Sequence, residues 1–425
     1  MRILHLVHQY PPDYVAGTEL YTETLAAIQA AAGHHVAVFC PAPRLGDGGV
    51  PTAVIENGVR IYRIPIGPRS RSQVFRDTFR QRQLREAWQL VLRQEAPDLV
   101  HVQHLMGMPV GLVDPLLEAG IPYVVTLHDY WYFCANAQLL TNTDQTICAG
   151  PDQRALNCAQ CALARSGREK IMGLAPAIAP LMRYRNAKLQ AVLQKARYAI
   201  APTDFVRQTS IDLGARSENV VLIRHGISLP DEKLVAANRR QAASRQDKAF
   251  HVGYIGSIGW QKGVHILIEA VNMLPPGRLR LTIYGDLTTV PDYVTQLQGM
   301  IQGPEVRLAG PVSRENLWTT LAGLDLVVLP TLWYETSSLV LDEAFAAGVP
   351  VVVSDIGVMS EKVEDNMNGR LFSPGDATAL QQILSEIEED PGLLDRWGEG
   401  IPAVQTIAEH VKEIEELYQS TLDTV

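Results

Sequence analysis

Pro330-Thr-Leu-Trp-Tyr-Glu335-Thr-Ser-Ser-Leu-Val-Leu-Asp-Glu343-Ala-Phe-Ala-Ala-Gly348-Val-Pro350 joins two short apolar runs through a loop and a helical segment. The apolar run Leu326–Leu329 leads into it as a short buried strand. Residues 338–347 carry a helical pattern, Gly348 stops it, and Pro350 opens the next apolar run, Val351–Val353. Glu335 falls in the loop before the helix, and Glu343 falls about one and a half turns inside it. The loop and first turn offer unpaired backbone N–H groups and the positive end of a helix dipole, which together seat an anion. A carboxylate on either side binds hydroxyl groups by accepting their protons. A ligand with phosphate and polyol parts, as in a nucleotide sugar, suits such a site.

Working outward, the same alternation extends in both directions. Phe250–Ile255, Leu279–Tyr284 and Val306–Leu308 read as strands before the quoted stretch, with helices near 263–274, 291–301 and 314–322. Ser313 and Asp376 are candidate N-caps, the latter for a helix over 376–389. Toward the N-terminus, Arg2–His8 is a strand bounded by Pro11-Pro12. Thr18 is placed to cap an alanine-rich helix that Gly33 ends, and Val36–Cys40 is the next strand. Leu99–Gln103, Tyr123–Leu127, Tyr198–Ala201 and Val220–Ile223 continue the series. Two doubly wound α/β domains follow, each with ligands at the carboxyl ends of its strands. We place the first at 1–226 and the second at 227–402, with a linker in the polar stretch 231–248 and a last helix within 403–425.

Length and composition agree with this division. A chain of 425 residues exceeds one ordinary domain, and 47% apolar with 20% charged residues describes a globular protein. The net charge of −9 hides an asymmetry: residues 1–226 carry 23 Lys and Arg against 18 Asp and Glu, and residues 227–425 carry 14 against 28. No compact basic motif points to nucleic acid. No apolar run reaches the roughly 18 residues of a spanning helix, and the N-terminus reads as a strand instead of a secretory signal. A cytoplasmic protein, peripheral at most to the inner face of a membrane, is expected.

The second domain opens with Gly253-Tyr-Ile-Gly256-Ser-Ile-Gly259-Trp-Gln-Lys262-Gly263, a glycine-rich strand end with a lysine at a helix start. Loop amides and an ammonium there can face a diphosphate. Gly285, after the strand Leu279–Tyr284, offers bare backbone on which a flat base could lie. These segments, with Thr126-Leu-His128-Asp129 and Ala16-Gly17-Thr18-Glu19, resemble in their order the retaining glycosyltransferases of family 4, which have the GT-B fold of two Rossmann-like domains facing an interdomain cleft. The resemblance covers nearly the whole chain. It implies that Glu343 binds the ribose hydroxyls, that Glu335 and His128 face the donor sugar, and that Lys262 holds the diphosphate with amides around Ser337, Ser338 and Leu339. It also places Gly17 under the diphosphate, assigns donor contacts to Gly256 and Gly285, and lays the last helix back on the first domain. The donor would be a nucleotide-diphosphate sugar. The acceptor would be a glycan or a polyprenyl-diphosphate-linked glycan of cell-envelope or exopolysaccharide assembly. No cofactor is required for transfer.

The sequence departs from that pattern at Ser257, where relatives carry an arginine, at Ala16, and at His225-Gly-Ile-Ser228. The first departure leaves phosphate charge to Lys262, helix termini and an unassigned arginine such as Arg224, and makes a non-catalytic sugar- or nucleotide-binding protein a rival. A hydrolase with two working carboxylates is disfavoured by the position of Glu343 inside a helix. A nicotinamide-dependent oxidoreductase is disfavoured because the first strand runs into Tyr10-Pro-Pro without a dinucleotide glycine fingerprint.

Two further features stand apart. Cys134, Cys148, Cys158 and Cys161 fall close together in sequence, the last two as Cys-x2-Cys, and could ligate a structural zinc or other metal. Small buried hydrophobes or a labile disulfide are the other readings of the same residues. Residues 60–93 hold nine arginines, with Phe75, Phe79, Leu84 and Trp88 as an apolar side, so an anionic membrane surface is a candidate partner.

Overall fold

The computed structural model describes residues 1–43, 51, 53–231, 233 and 249–423. It divides into two compact units, Met1–Arg224 with Ala408–Val425, and His225–Ile407. Apart from Asp231 and Lys233, the expected linker 231–248 lies outside the described residues.

The first unit is built on β1 (Arg2–Leu6), β2 (His35–Ala42), β3 (Ala53–Glu56), β4 (Val59–Pro65), β5 (Leu99–Val102), β6 (Tyr123–Thr126), β7 (Tyr198–Ala201) and β8 (Val220–Leu222). Their order across the sheet is β3-β4-β2-β1-β5-β6-β7-β8. Every pairing is parallel except β3 with β4. Buried Leu4, Leu6, Val38, Val100, Val125 and Ile200 fill both faces, as strands covered by helices require. The strand order reverses between β1 and β5, and the carboxyl ends of those strands lead to His8 and His104.

The second unit has β9 (Phe250–Ile255), β10 (Leu279–Tyr284), β11 (Val306–Gly310), β12 (Leu326–Leu329), β13 (Val351–Ser354) and β14 (Gly369–Phe372), in the order β11-β10-β9-β12-β13-β14. All five pairings are parallel. This is a doubly wound sheet, whose switch point lies between β9 and β12, and ligands of such sheets sit outside the carboxyl ends there. The glycine-rich loop leaves β9 and the glutamate segment leaves β12, so both arrive at that one point.

Several expectations are corrected. Thr18 does not cap the first helix. The helix is Gly17–Ala31, its cap is extended Ala16 with no side-chain bond, and the Thr18 carbonyl accepts from Thr22 Oγ1 at 2.7 Å. Ser313 likewise makes no side-chain cap, whereas Asp376 accepts from the Ala379 amide at 2.9 Å. The arginine-rich segment is no free amphipathic surface. Its start is β4, with Ile61, Tyr62 and Ile64 buried, and Leu84 and Trp88 are fully buried. Trp88 packs edge-on to Phe39 and donates to the Leu112 carbonyl at 2.8 Å. Arg60, Arg63 and Arg69 pair with Glu95, Glu56 and Asp77. Leu84 and Trp88 therefore cannot serve a membrane. β14 also went unread in the sequence.

Candidate donor site and acceptor-side polar cluster

At the switch point of the second unit, the two loops are tied to each other. The Leu332 amide donates to the Gln261 carbonyl at 2.8 Å. Gly263 has φ +69, and a Cβ there would come within 1.8 Å of the Pro330 carbonyl oxygen, so only glycine lets the loops close. Gly285 is needed for a similar reason: a Cβ would stand 2.3 Å from the Gly256 carbonyl oxygen. Its first role is thus to let the ends of β9 and β10 meet.

Glu335 and Glu343 are both nearly buried, at 8% and 5% exposure. Glu335 Oε1 collects three donors: Lys262 Nζ at 2.6 Å, Trp333 Nε1 at 3.0 Å and Thr331 Oγ1 at 3.2 Å. Lys262, expected as a cation for the diphosphate, here holds Glu335 and lies 5.5 Å over the Trp333 ring. An ammonium has three protons, so one partner leaves it others to give. Glu343, on the helix Leu339–Ala346, accepts from Arg314 Nη1 at 2.5 Å. Burial nonetheless raises its carboxyl above the usual range, with Arg314 opposing.

The start of this helix is uncapped. Ser338 takes a left-handed conformation, φ +54, and leaves the helix without a side-chain cap. The Ser337 hydroxyl is buried with no hydrogen-bond partner among the described residues. The Ser337 carbonyl is held by Lys362 Nζ at 2.5 Å, and the same ammonium bonds Asp342. The helix ends as expected: Gly348 has φ +63 and the Val349 amide returns to the Ala344 carbonyl at 2.8 Å.

The first unit carries its polar cluster at the carboxyl ends of β1, β5 and β6. His128 Nε2 meets Gln103 Oε1 at 2.8 Å, Gln103 Nε2 meets His5 Nδ1 at 3.1 Å, and His5 Nε2 meets Gln29 Oε1 at 2.8 Å. The chain is self-consistent in direction. Gln103 donates to His5 and so presents its oxygen to His128, which must carry its proton on Nε2. Burial lowers His5 to about 4, so it stays neutral in this relay. Beside it, the Met106 amide donates to His104 Nδ1 at 3.1 Å, which leaves His104 Nε2 to donate to both Asp129 oxygens at 3.1 Å. The His8 ring lies tilted beside that of His104, centroids 4.3 Å apart, and His8 Nε2 approaches Glu19 at 3.7 Å. Burial raises the Glu19 carboxyl, and its Oε2 has no hydrogen-bond partner among the described residues. A Cβ on Gly17 would meet nothing within 4 Å.

The structure thus gathers Gly256, Lys262, Gly285, Glu335, Ser337, Ser338, Leu339 and Glu343 at one end of one sheet, and places Gly17 and His128 on the other unit. Sequence reasoning missed Arg314, Lys362, Trp333, Thr331, Gln103 and Gln29 as parts of these sites. Gln103 had a signal, a polar side chain just past a buried strand. The two cations had none, because each meets its partner across a long stretch of chain. Ser257 is exposed, and its carbonyl accepts from Tyr254 at 2.8 Å. The four clustered cysteines are not disulfide-bonded, and among the described residues no group of three or more His, Cys, Asp or Glu side chains converges to hold a metal ion.

A doubly wound sheet with two glutamates around a helix start, and a second such sheet ending in histidines, is the architecture of a GT-B glycosyltransferase. Comparison with known proteins agrees. Residues 16–226 match the glycosyl transferase 4-like domain, and residues 236–403 match glycosyl transferases group 1. A glycogen synthase of Mycobacterium tuberculosis is 24% identical over 418 residues, covering 93% of this chain and 88% of its own. The fold is shared with sucrose-phosphate synthase from Thermosynechococcus elongatus (TM-score 0.73, 20% identity, 100% and 99% of the two chains). It is shared also with the Anabaena protein HepE in complex with UDP and glucose (TM-score 0.67, 20% identity, 99% and 100%). The chain is a glycosyltransferase.

Proposed function

We propose that this enzyme transfers a sugar, with retention at the anomeric carbon, from a nucleotide-diphosphate sugar to a glycan or a polyprenyl-diphosphate-linked glycan. The observation that carries the reading is the pair of buried glutamates, each held by a cation, on either side of an uncapped helix start at a sheet's switch point. Glu343 accepts the ribose hydroxyls, and Lys262, the Ser337 hydroxyl and the amides from Ser337 to Leu339 take the diphosphate. Glu335 orients the transferred sugar. It is a poor nucleophile, because one oxygen already accepts three hydrogen bonds. Gly256 and Gly285 shape the base end, and Gly17 leaves room for a ligand on the first unit. His128, fixed as the Nε2–H tautomer by Gln103, is the first unit's contribution to the sugar.

Breaking the bond between the anomeric carbon and the diphosphate oxygen builds positive charge on the sugar and negative charge on the leaving group. Preorganised donors and cations stabilise the latter. The acceptor oxygen then attacks from the same face, the new glycosidic bond forms, and the acceptor proton passes to the departing phosphate oxygen. No cofactor enters this step. The setting we infer is cell-envelope or exopolysaccharide assembly on the cytoplasmic side of a membrane. Among the described residues no helix is long and apolar enough to cross a membrane. The surface we propose for anionic lipid is the segment with exposed Ile171, Leu174, Leu181 and Tyr184, interspersed with Arg168, Lys170, Arg183 and Lys188.

A panel of nucleotide sugars read by thermal shift identifies the donor, and NMR of the product with acceptors in anionic vesicles reads the anomeric configuration. Retention is expected, with Glu335→Gln turning over about a hundredfold or more slowly. An inverted product, or full activity in Glu335→Gln, overturns the reading.

A further inference from the structure

The helix Ala175–Lys195 of the first unit has an outer face that the transfer reaction leaves unexplained. Its inner face is ordinary core: Ala179, Met182, Leu189 and Val192 are buried. Pro176, Pro180, Tyr184 and Ala187 are exposed, and their spacing of four, four and three residues sets them in one apolar row.

This row walls a hollow. Between it and the start of the helix Leu156–Arg165 lies a groove of about 650 Å³, closed by Arg154, Leu156 and Arg183, with Ala179 as its floor. The small side chains of Ala179 and Ala187 leave the room. Past Tyr184 a second hollow of about 160 Å³ follows the same helix to Lys195, lined by Phe79, Val110 and Val192. Tyr184 borders both. Its ring packs on Phe79 with centroids 5.5 Å apart, and Lys188 lies 5.5 Å over it. The helix rises roughly 28 Å from Pro176 to Lys195, so the two hollows make a long, narrow trough. Exposed apolar surface gathered in this way marks a binding site.

The charge around the trough narrows the choice of ligand. Residues 153–197 hold nine Lys and Arg against one acid, Glu169. Arg154 and Arg183 stand at the groove, and Lys188 and Lys195 at the hollow beyond. Asp114, the one acid there, sits with Arg85 against Gly111. Among the described residues, Arg154, Arg183, Lys188 and Lys195 have no carboxylate partner. Unpaired cations of one sign repel each other and attract an anion. An apolar trough with such a rim suits a molecule with a long apolar tail and a phosphate head. A flat bilayer contact would leave the hollows unfilled, and a partner helix would need acidic side chains along its length to answer the rim.

We propose that this trough takes the isoprenoid chain of a polyprenyl-diphosphate acceptor, whose phosphates are drawn to Arg154 and Arg183. The inference rests on the transfer reading above and selects the lipid-linked acceptor over the free glycan. The same helix is tied to the acceptor-side cluster by its other face. Buried Arg185 donates to the Trp131 carbonyl at 2.7 Å, the Trp131 amide donates to Asp129 Oδ1 at 2.8 Å, and Asp129 accepts from His104. A chain seated in the trough is thereby held on an element bonded to the residues that face the acceptor.

The test is binding of geranylgeranyl diphosphate to the full chain by titration calorimetry, with excess inorganic diphosphate present to occupy sites that read phosphate alone. Wild-type protein is expected to bind. Ala187→Trp, which fills the groove from an exposed position, and Arg183→Glu, which reverses charge at its rim, should each bind about tenfold or more weakly. The thermal shift given by the nucleotide sugar should match in wild type and Ala187→Trp, which shows that the variant is folded. Should Ala187→Trp lose that shift, Arg183→Glu decides. No binding by the wild type, binding that inorganic diphosphate removes, or full affinity in the deciding variant overturns the proposal. So does an equal loss of affinity of Ala187→Trp for vesicles of anionic phospholipid, since the face would then serve any membrane. Failure here leaves the anomeric outcome and the Glu335→Gln assay standing, and an inverted product leaves the prenyl-binding result standing.

Discussion

Glu343 and Arg314 form a pair with unequal surroundings. The carboxylate is nearly buried, while the Arg314 side chain is 61% exposed and free to be screened. Their bond is therefore worth little to stability, and its effect falls on the charge state of Glu343. Without Arg314 the carboxyl, already raised by burial, rises further, and a protonated carboxyl accepts ribose hydroxyls less well. Arg314→Ala is expected to weaken nucleotide binding about tenfold, ~1.4 kcal/mol, in titration calorimetry, and more in mildly acidic than in alkaline buffer. An unchanged affinity at both pH values would remove the ribose role from Glu343. The glutamates themselves were legible because their spacing lies within one short segment. Their cations were not: Lys262 lies 73 residues from Glu335 and Arg314 lies 29 from Glu343.

At the scale of elements, the sheets rest on apolar runs and the sites rest on how closely the loops at their ends approach. Gly263 and Gly17 were both read as glycines near phosphate, yet their surroundings differ. Gly263→Ala faces a fixed backbone oxygen and a left-handed φ, so a loss of ~2 kcal/mol or more is expected in urea unfolding. Gly17→Ala enters open space and should stay within ~0.5 kcal/mol of wild type. Equal stability of the two variants would contradict this packing. The arginine-rich segment teaches the converse. Its composition suggested one amphipathic surface, but Val59-Arg-Ile-Tyr-Arg-Ile-Pro65 is a strand inside the sheet, and its Arg60 and Arg63 are taken up in ion pairs with Glu95 and Glu56.

At the scale of the molecule, the first unit is completed by the far end of the chain. On the closing helix Ile407–Asp423, His410 joins Tyr21 at 2.8 Å and the Arg224 carbonyl at 2.6 Å. Tyr418 joins His101 at 2.5 Å. Burial lowers His5 and His410 to about 4 and lowers His101 well below its ordinary 6.5. A folded-state pKa below the unfolded one gives stability that is present above about 6.5 and lost as the pH falls toward about 4, because unfolding then takes up protons. Each such histidine contributes a slope of up to ~1.4 kcal/mol per pH unit. Denaturation curves across that window should therefore show falling stability, and His410→Gln should flatten the dependence. A flat profile in the wild type would mean these histidines are charged or exposed.

By itself the sequence determined the apolar strands of both doubly wound units other than β3, β4 and β14, the segment holding the two glutamates, and the glycines that lead into it. Hydrophobic periodicity and turn residues act over a few positions, so they are readable from the chain alone. Only the tertiary structure decided which cation holds which carboxylate, the direction of the relay from His128 through Gln103 to His5, and the burial of Arg185 against Trp131. It also showed that Glu335 to Glu343 is more than two carboxylates flanking a helix. Each is held by a cation from a turn far away in sequence, because burial leaves a charge only the partners that the fold brings to it.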